Sequence, residues 1–189
     1  ARREKNAVTA AELEEAIDRA SVGLERKSRV MSDKVKTRVS FHEMGHALVA
    51  HFSESSDPVH RITIIPRGRS LGLTSLLPQE EKHSRKRSEM KAMLVMALGG
   101  LCAEKLVLGE SGTGVGNDLQ RVTQICRRMI CEFGMSDRLG PLSFGKRDEM
   151  VFLGRSMGEQ RDYSDKIAMM IDEEVRALID RAYDRATEV

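Results

Sequence analysis

The chain has 189 residues, of which 40% are hydrophobic and 32% are charged, a composition that is ordinary for a globular protein with one sizeable core. Its 31 basic and 29 acidic side chains give a formal net charge of +2, and it contains no Trp and only 4% aromatic residues. We therefore expect no nucleic acid and no anionic membrane surface as the main partner, because both need clustered cations and the first also favours stacking rings.

Two helices are predicted in the first third of the chain. Thr9 and Glu12 form a capping-box pattern, and apolar residues at helical spacing then predict a helix that runs to about Arg26. Ser32 is suited to cap a second helix over residues 33–52. Three valines and two histidines share one face of this second helix: Val35, Val39, His42, His46 and Val49.

Two short strands are predicted next. Residues 59–65, rich in β-branched side chains, lie between Pro58 and Pro66, and a second apolar run over residues 71–77 ends at Pro78. A turn-forming segment joins the two runs. The pattern predicts either a hairpin or two strands of a small sheet.

A long helix over residues 88–108 is predicted to follow, with Gly109 as its stop. It contains Gly99 and Gly100, each of which costs about 1 kcal/mol of helix stability relative to Ala. Paired glycines inside a helix indicate that another backbone approaches closely at that point.

The last part of the chain is predicted to hold two more helices. Asn117, after a glycine-rich loop, is suited to cap the first, and Ser164 begins the second. Residues 135–160 between them have no regular pattern. The predicted fold class is therefore mainly α with a small β-sheet, an α+β zinc-metalloprotease type in view of the motif that follows.

The motif that carries chemistry is His42-Glu43-Met44-Gly45-His46, which fits H-E-x-x-H. Residues four apart lie one turn apart on a helix, so both imidazoles can bind one metal ion. Glu43 points about 100° further round the helix axis and can reach water at that ion. Zinc lowers the pKa of such water, and a carboxylate can take its proton and return it to the leaving amine. The pattern predicts a zinc peptidase.

The alternative is a helix that merely contains two histidines, since a five-residue pattern also occurs by accident. Two unpaired histidines on the apolar face of a helix would carry a desolvation cost. That cost favours the metal site. Gly45, between the histidines, further indicates that something packs or binds close to this helix.

A catalytic zinc usually has a third protein ligand, which the local sequence leaves open. The extended motif with a third histidine would need His at position 52, where this chain has Phe52, and His51 is out of register by one residue. Two acidic residues are candidates: Glu104 on the long helix, and Asp118 at the start of the next helix. The residue pattern alone does not decide between them.

Several segments together resemble the protease domain of the FtsH family, a family of membrane-anchored AAA+ zinc metalloproteases. They follow in family order over about residues 10–187: FHEMGHA at 41–47, DPVH at 57–60, TIIPRGRSLG at 63–72, LGG at 98–100, AE at 103–104, GNDL at 116–119, LGPL at 139–142 and VFLGR at 151–155.

The resemblance implies roles for individual residues. Asp118 would be the third zinc ligand beside His42 and His46, with Glu43 as the catalytic residue. Glu104 would hold a ligand histidine in orientation. An edge strand would bind unfolded substrate by β-addition, through Leu71, Gly72, Leu73 and Thr74.

The resemblance also implies a larger machine. Residues 1–28 would be the tail of the AAA+ lid and residues 29–189 the protease domain, with further C-terminal helices beyond; the start without Met fits a piece of a longer protein. One Zn²⁺ per subunit would act here, and ATP and Mg²⁺ only in an ATPase part outside this chain. The family forms homo-hexamers that degrade unfolded, damaged membrane and short-lived regulatory proteins.

The expected location is the cytoplasmic face of the bacterial inner membrane, or its organelle equivalent. No apolar stretch in the chain approaches the roughly 20 residues that cross a bilayer, so the fragment itself is expected to be soluble and to reach a membrane only through other segments. The alternative function is a catalytically idle scaffold that only helps to hold a ring together.

Overall fold

The computed structural model describes residues 7–21, 23–25, 30–68, 70–145 and 162–189, and these parts are mainly helical with one small sheet. In chain order they form α1 (Ala10–Ser21), α2 (Asp33–His51), β1 (Val59–Thr63), β2 (Leu73–Leu76), α3 (Arg87–Leu108), a 3-10 turn (Thr113–Val115), α4 (Gly116–Cys131) and α5 (Asp165–Glu188). The predicted fold class is confirmed. The first helix ends at Ser21 rather than at about Arg26: residues 23–25 are not helical, and Gly23 has a φ of 99°, a left-handed conformation that does not continue a helix. The VFLGR segment lies outside the described residues.

The core is organised around α3, which packs against α2, α4 and α5. Leu94 and Leu98 on this helix are each 1% exposed, and Met129 of α4 and Ile171 of α5 are no more exposed. Burial of such side chains stabilises each by about 1.5–3 kcal/mol. The central position of α3 fixes where α2 and α4 lie relative to each other.

Helices α2 and α3 approach each other most closely at two glycines. A Cβ atom on Gly45 would lie 2.6 Å from Ala103 Cβ and closer still to the carbonyl oxygen of Gly99, while a Cβ on Gly99 would lie 2.5 Å from the carbonyl oxygen of Gly45. Neither position has room for any side chain. The expected close approach of another backbone is confirmed at Gly45 and Gly99, whereas a Cβ on Gly100 would meet the ring of His42, 2.6 Å from its Cε1 atom.

Replacing Gly45 with Ala is therefore expected to destabilise the protein. The added methyl group meets backbone atoms, which cannot rotate away, so overpacking costs about 2–3 kcal/mol. This exceeds the roughly 1 kcal/mol that Ala gains over Gly in a helix. Urea unfolding followed by circular dichroism should show a net loss of at least about 1 kcal/mol.

Gly114→Ala is the matched control, because a Cβ at Gly114 meets nothing within 4 Å. Its unfolding free energy should stay within about 0.5 kcal/mol of the parent chain. If Gly45→Ala proved equally harmless, the close approach of α2 and α3 would be wrong.

The predicted cap of α2 at Ser32, the predicted start of α5 at about Ser164 and the predicted stop of α3 at Gly109 are confirmed. The hydroxyl of Ser32 accepts a hydrogen bond from the backbone N–H of Val35 (3.4 Å), and Ser164 does the same for Ile167 (3.4 Å). Gly109 ends α3 with a φ of 76°, the left-handed conformation that glycine adopts without strain.

Other predicted boundaries are also wrong. Asn117 is not an N-cap: the 3-10 turn runs directly into α4, which begins at Gly116, so Asn117 already has a helical position. The first strand ends at Thr63 rather than at residue 65, and the second begins at Leu73 rather than at Leu71. The strand boundaries differ because the apolar runs in the sequence are longer than the segments whose backbones pair in the hairpin.

The two strands form an antiparallel hairpin, with Val59 opposite Leu76 and Thr63 opposite Leu73. Helix α2 packs against both strands, and Thr74 of β2 donates a hydrogen bond to the backbone oxygen of Glu43 in the H-E-x-x-H motif. Among the described residues, none of the helices combines the length and the apolar character that crossing a bilayer requires.

Candidate metal centre

Three side chains from two helices converge on one point. The Nε2 atoms of His42 and His46 lie 3.0 Å apart. Asp118 Oδ2 lies 3.2 Å from His42 Nε2 and 3.5 Å from His46 Nε2. The three ligand atoms lie within 4.8 Å of one another, and within the described parts of the chain these residues form a group that could hold a metal ion.

The fold supplies this convergence from two directions. His42 and His46 are one turn apart on α2, and their ring centroids are 4.6 Å apart. Asp118 lies in the first turn of α4, where the free N–H groups and the helix dipole favour an ionised carboxylate. The packing of α3 between these helices brings the aspartate to the histidines.

The other nitrogen of each imidazole already has an acceptor. His42 Nδ1 lies 2.9 Å from Glu104 Oε1, and His46 Nδ1 lies 2.8 Å from the carbonyl oxygen of Met96. A carbonyl oxygen and an ionised carboxylate only accept, so each Nδ1 carries the hydrogen. At His46 the 2.8 Å contact with the Met96 carbonyl oxygen decides this over the longer 3.3 Å contact between Nδ1 and the backbone nitrogen of Gly100. In the neutral rings, both Nε2 atoms then present lone pairs toward each other and toward Asp118.

Such an arrangement needs a positive charge at its centre. Burial lowers the pKa of His42, but Asp118, Glu104 and Glu43 together raise it by more, so it lies above its ordinary value. Burial raises the pKa of Asp118, but the two histidines hold it well below its usual range. Two imidazole nitrogens and one carboxylate are also a common zinc donor set, so these residues fit that ion.

Glu43 lies beside this cluster on α2 and is only 7% exposed. The hydroxyl of Thr74 lies 2.8 Å from both the backbone oxygen and Oε2 of Glu43. A Cβ atom on Gly72 would lie 2.6 Å from Glu43 Oε1. The backbone just before β2 therefore lies directly against this carboxylate, and β2 itself holds the carboxylate in place.

Glu104 contacts the opposite side of His42 from Asp118. It is 2% exposed, and it accepts hydrogen bonds from the Gly112 N–H (2.8 Å) and from Arg38 Nη1 (2.6 Å) as well as from His42 Nδ1. Burial raises the pKa of Glu104, but these three donors lower it by more. Asp118 lies on the Nε2 side and Glu104 on the Nδ1 side, an arrangement that fits the roles implied by the resemblance; the roles themselves stay predictions.

The four predicted substrate-binding residues lie together, although they are not one strand. Leu73 and Thr74 begin β2, while Leu71 and Gly72 precede it, with the Ser70 hydroxyl donating to the carbonyl oxygen of Gly72. Gly72 is buried and Leu71 is partly buried. All four lie on the segment that passes Glu43.

Sequence reasoning missed two supporting groups. Arg38 lies four residues before His42, so the spacing that pairs the two histidines also places Arg38 on their face of α2. The carbonyl of Met96 is a backbone group, and no side-chain pattern signals its contact with His46. The exposed His51 packs its ring against Phe52, with ring centroids 4.9 Å apart, and is not part of the cluster.

The comparisons with known proteins agree with one another. The sequence profile of Peptidase family M41 matches residues 29–189. The chain is 51% identical over 186 residues to the ATP-dependent zinc metalloprotease FtsH 1 of Thermoanaerobacter sp., which covers 98% of this chain and 30% of that protein. It is 49% identical over 189 residues to the protein of the same name from Sphaerobacter thermophilus, covering 100% of this chain and 29% of that protein.

A third relative is the ATP-dependent zinc metalloprotease FtsH of Kosmotoga olearia, 49% identical over 190 residues, which covers 100% of this chain and 30% of that protein. The chain thus spans about 30% of the length of these relatives. The part of the chain that the family profile matches includes His42, Glu43, His46 and Asp118. With that profile covering most of its length, the chain belongs to Peptidase family M41, and the resemblance to the FtsH protease domain is confirmed.

Proposed function

We propose that this chain is a zinc-dependent endopeptidase domain in which His42, His46 and Asp118 hold the ion and Glu43 is the general base. One observation carries the proposal. Three ligand atoms lie within 4.8 Å of one another, and the helix that supplies the two histidines also places the buried carboxylate of Glu43 beside them. Membership of a peptidase family and the names of the relatives support it.

When bound, zinc would supply Lewis acidity, which activates water and polarises the carbonyl group of a peptide bond. Glu43 takes a proton from the attacking water and later gives it to the leaving amine nitrogen. Thr74, 2.8 Å from Oε2 of Glu43, limits the rotation of that carboxylate. Glu104 and the Met96 carbonyl hold the two imidazoles with Nε2 toward the centre.

The substrate is proposed to be unfolded polypeptide bound beside Leu71, Gly72, Leu73 and Thr74. In the described parts of the chain, β2 pairs with β1 alone, so its other edge has backbone groups that an extended peptide can pair with. Because Gly72 lacks a side chain, the backbone there lies directly against Glu43, next to the bond to be cut. Pairing through the backbone fits low sequence specificity.

In the whole protein, residues 29–189 are proposed to be the protease domain and residues 1–28 the tail of an AAA+ lid. ATP and Mg²⁺ would act in an ATPase part outside this chain, and the assembly would be a homo-hexamer without nucleic acid. Its proposed location is the cytoplasmic face of the bacterial inner membrane or the organelle equivalent. Damaged membrane proteins and short-lived regulators are the proposed targets. The relatives are named ATP-dependent and are about three times longer than this chain, which supports an ATPase part outside it.

Removing the metal tests the zinc requirement. Dialysis against 1,10-phenanthroline should lower the hydrolysis of a permanently unfolded protein by at least about 100-fold, since only the residual catalysis of Glu43 would remain. Added zinc should restore the rate and added magnesium should not, because the donor set is nitrogen-rich. A sample dialysed without the chelator is the control, and full hydrolysis by the zinc-free chain would contradict the proposal.

A further inference from the structure

One arginine connects both halves of the metal site. Arg38 lies on α2 one turn before His42, and its Nη1 atom donates to Glu104 Oε2 at 2.6 Å. The other oxygen of the same carboxylate accepts from His42 Nδ1 at 2.9 Å. Arg38 thus acts on His42 through Glu104, and its own side chain is not part of the ligand group.

The same guanidinium also binds the loop between α3 and α4. Arg38 Nη1 lies 3.1 Å from the carbonyl oxygen of Glu110, and Nη2 lies 3.8 Å from Glu110 Oε1. The backbone at Gly112 lies against the arginine, since a Cβ there would be 3.3 Å from Arg38 Cδ. This loop leads through the 3-10 turn to Asp118 six residues later.

We infer that Arg38 is a positioning residue of the metal site, which aligns Glu104 on His42 and anchors the loop that presents Asp118. The inference rests on the proposed zinc-binding role of His42, His46 and Asp118. It extends that role to a residue outside the H-E-x-x-H motif.

The chemistry of the two partners explains why an arginine is needed. Glu104 is buried, and an ionised buried carboxylate requires a countercharge and hydrogen bonds. The planar fork of Arg offers several donors in fixed directions, so one side chain can hold the carboxylate and the Glu110 carbonyl oxygen together. Lys keeps the charge, but it lacks the second nitrogen that faces Glu110 Oε1 and the planar group that fixes the direction of each hydrogen bond, so it should align Glu104 less well. Gln supplies neither the charge nor the reach.

Zinc affinity measured by competition with a chromophoric chelator tests the inference on the 189-residue chain. Arg38→Gln should weaken zinc binding by about 10- to 100-fold, the range found for outer partners of a metal ligand. Arg38→Lys should lose less than Arg38→Gln but remain weaker than the parent chain. Arg127→Gln is the matched control, because Arg127 makes an exposed ion pair with Asp172 at 3.3 Å, away from the cluster; its affinity should not change.

Two further readouts separate positioning from simple loss of stability. The visible absorption of bound Co²⁺ should shift in Arg38→Gln, because the orientation of His42 changes, and amide exchange at Gly112 should become faster. Neither should change in Arg127→Gln, even if thermal stability falls equally in both. If Arg38→Gln does not fold, the comparison of Arg38→Lys with the parent chain carries the test.

Parent affinity and an unchanged cobalt spectrum in Arg38→Gln, or in Arg38→Lys where Gln does not fold, would overturn the inference. Failure of the proposed function looks different. A parent chain that binds no zinc overturns both, whereas a parent chain that binds zinc through His42 and His46 but cleaves no peptide overturns only the peptidase proposal.

Discussion

Replacing Glu43 with Gln is expected to lower the rate of peptide hydrolysis by about 10²- to 10⁴-fold, the usual contribution of a general base. Gln has nearly the same shape, and its amide can still contact Thr74, but it cannot take a proton from water. The zinc content should stay at the parent level, since the proposed ligand group is His42, His46 and Asp118. Hydrolysis of an unfolded protein and metal analysis of the same sample would measure both.

Glu54→Gln is the matched control, because Glu54 is an exposed glutamate in the loop that follows α2. It changes the net charge equally, and its hydrolysis rate should remain that of the parent chain. Equal cleavage by the parent chain and Glu43→Gln would exclude the proposed role of Glu43. If neither chain cleaved the unfolded protein, the result would favour the idle-scaffold alternative.

Asp118→Asn is expected to lose zinc more severely than Glu104→Gln. Removing the charge of Asp118, the proposed direct ligand, should weaken binding by more than about 100-fold, whereas changing an outer partner typically costs 10- to 100-fold. The zinc-free chain gives a second readout by NMR titration. Since Asp118 raises the pKa of His42, Asp118→Asn should lower that pKa.

Asp172→Asn controls for the loss of an acidic side chain, because Asp172 is exposed on α5 and forms an ion pair with Arg127 at the surface. Its zinc affinity should equal that of the parent chain. The opposite ranking, with Asp118→Asn fully loaded and Glu104→Gln empty, would reverse the two roles.

Local signals in the sequence were enough for most elements and for half of the site. Ser32 and Ser164 precede helices whose apolar periodicity is clear, and a hydroxyl at that position has a defined N–H to accept from. His42 and His46 share one helix, so their convergence follows from a spacing of four. The prediction of Asn117 as an N-cap is wrong because an N-cap residue needs an extended backbone, and here a 3-10 turn leads directly into the helix.

The other half of the site depends on tertiary packing. Glu104 and Asp118 are both acidic residues near the glycine-rich loop, and no local pattern says which one reaches the Nε2 side of His42. Which side each one reaches depends on how α3 and α4 pack relative to α2. Arg38 acts through a residue 66 positions away in the sequence, a pairing that no spacing rule contains.

The direct contact of Gly45 with Gly99 has a consequence for the thermodynamics of loading. The backbones of α2 and α3 are in direct contact at Gly45 and Gly99, and Glu104 and the Met96 carbonyl orient the two imidazole rings. The ligand atoms are therefore preorganised before any ion binds. The entropy of ordering the site is lost during folding and not at binding. With zinc bound as proposed, the chain would differ from small zinc modules whose folding and metal uptake are one event, and it should exchange its ion while remaining folded.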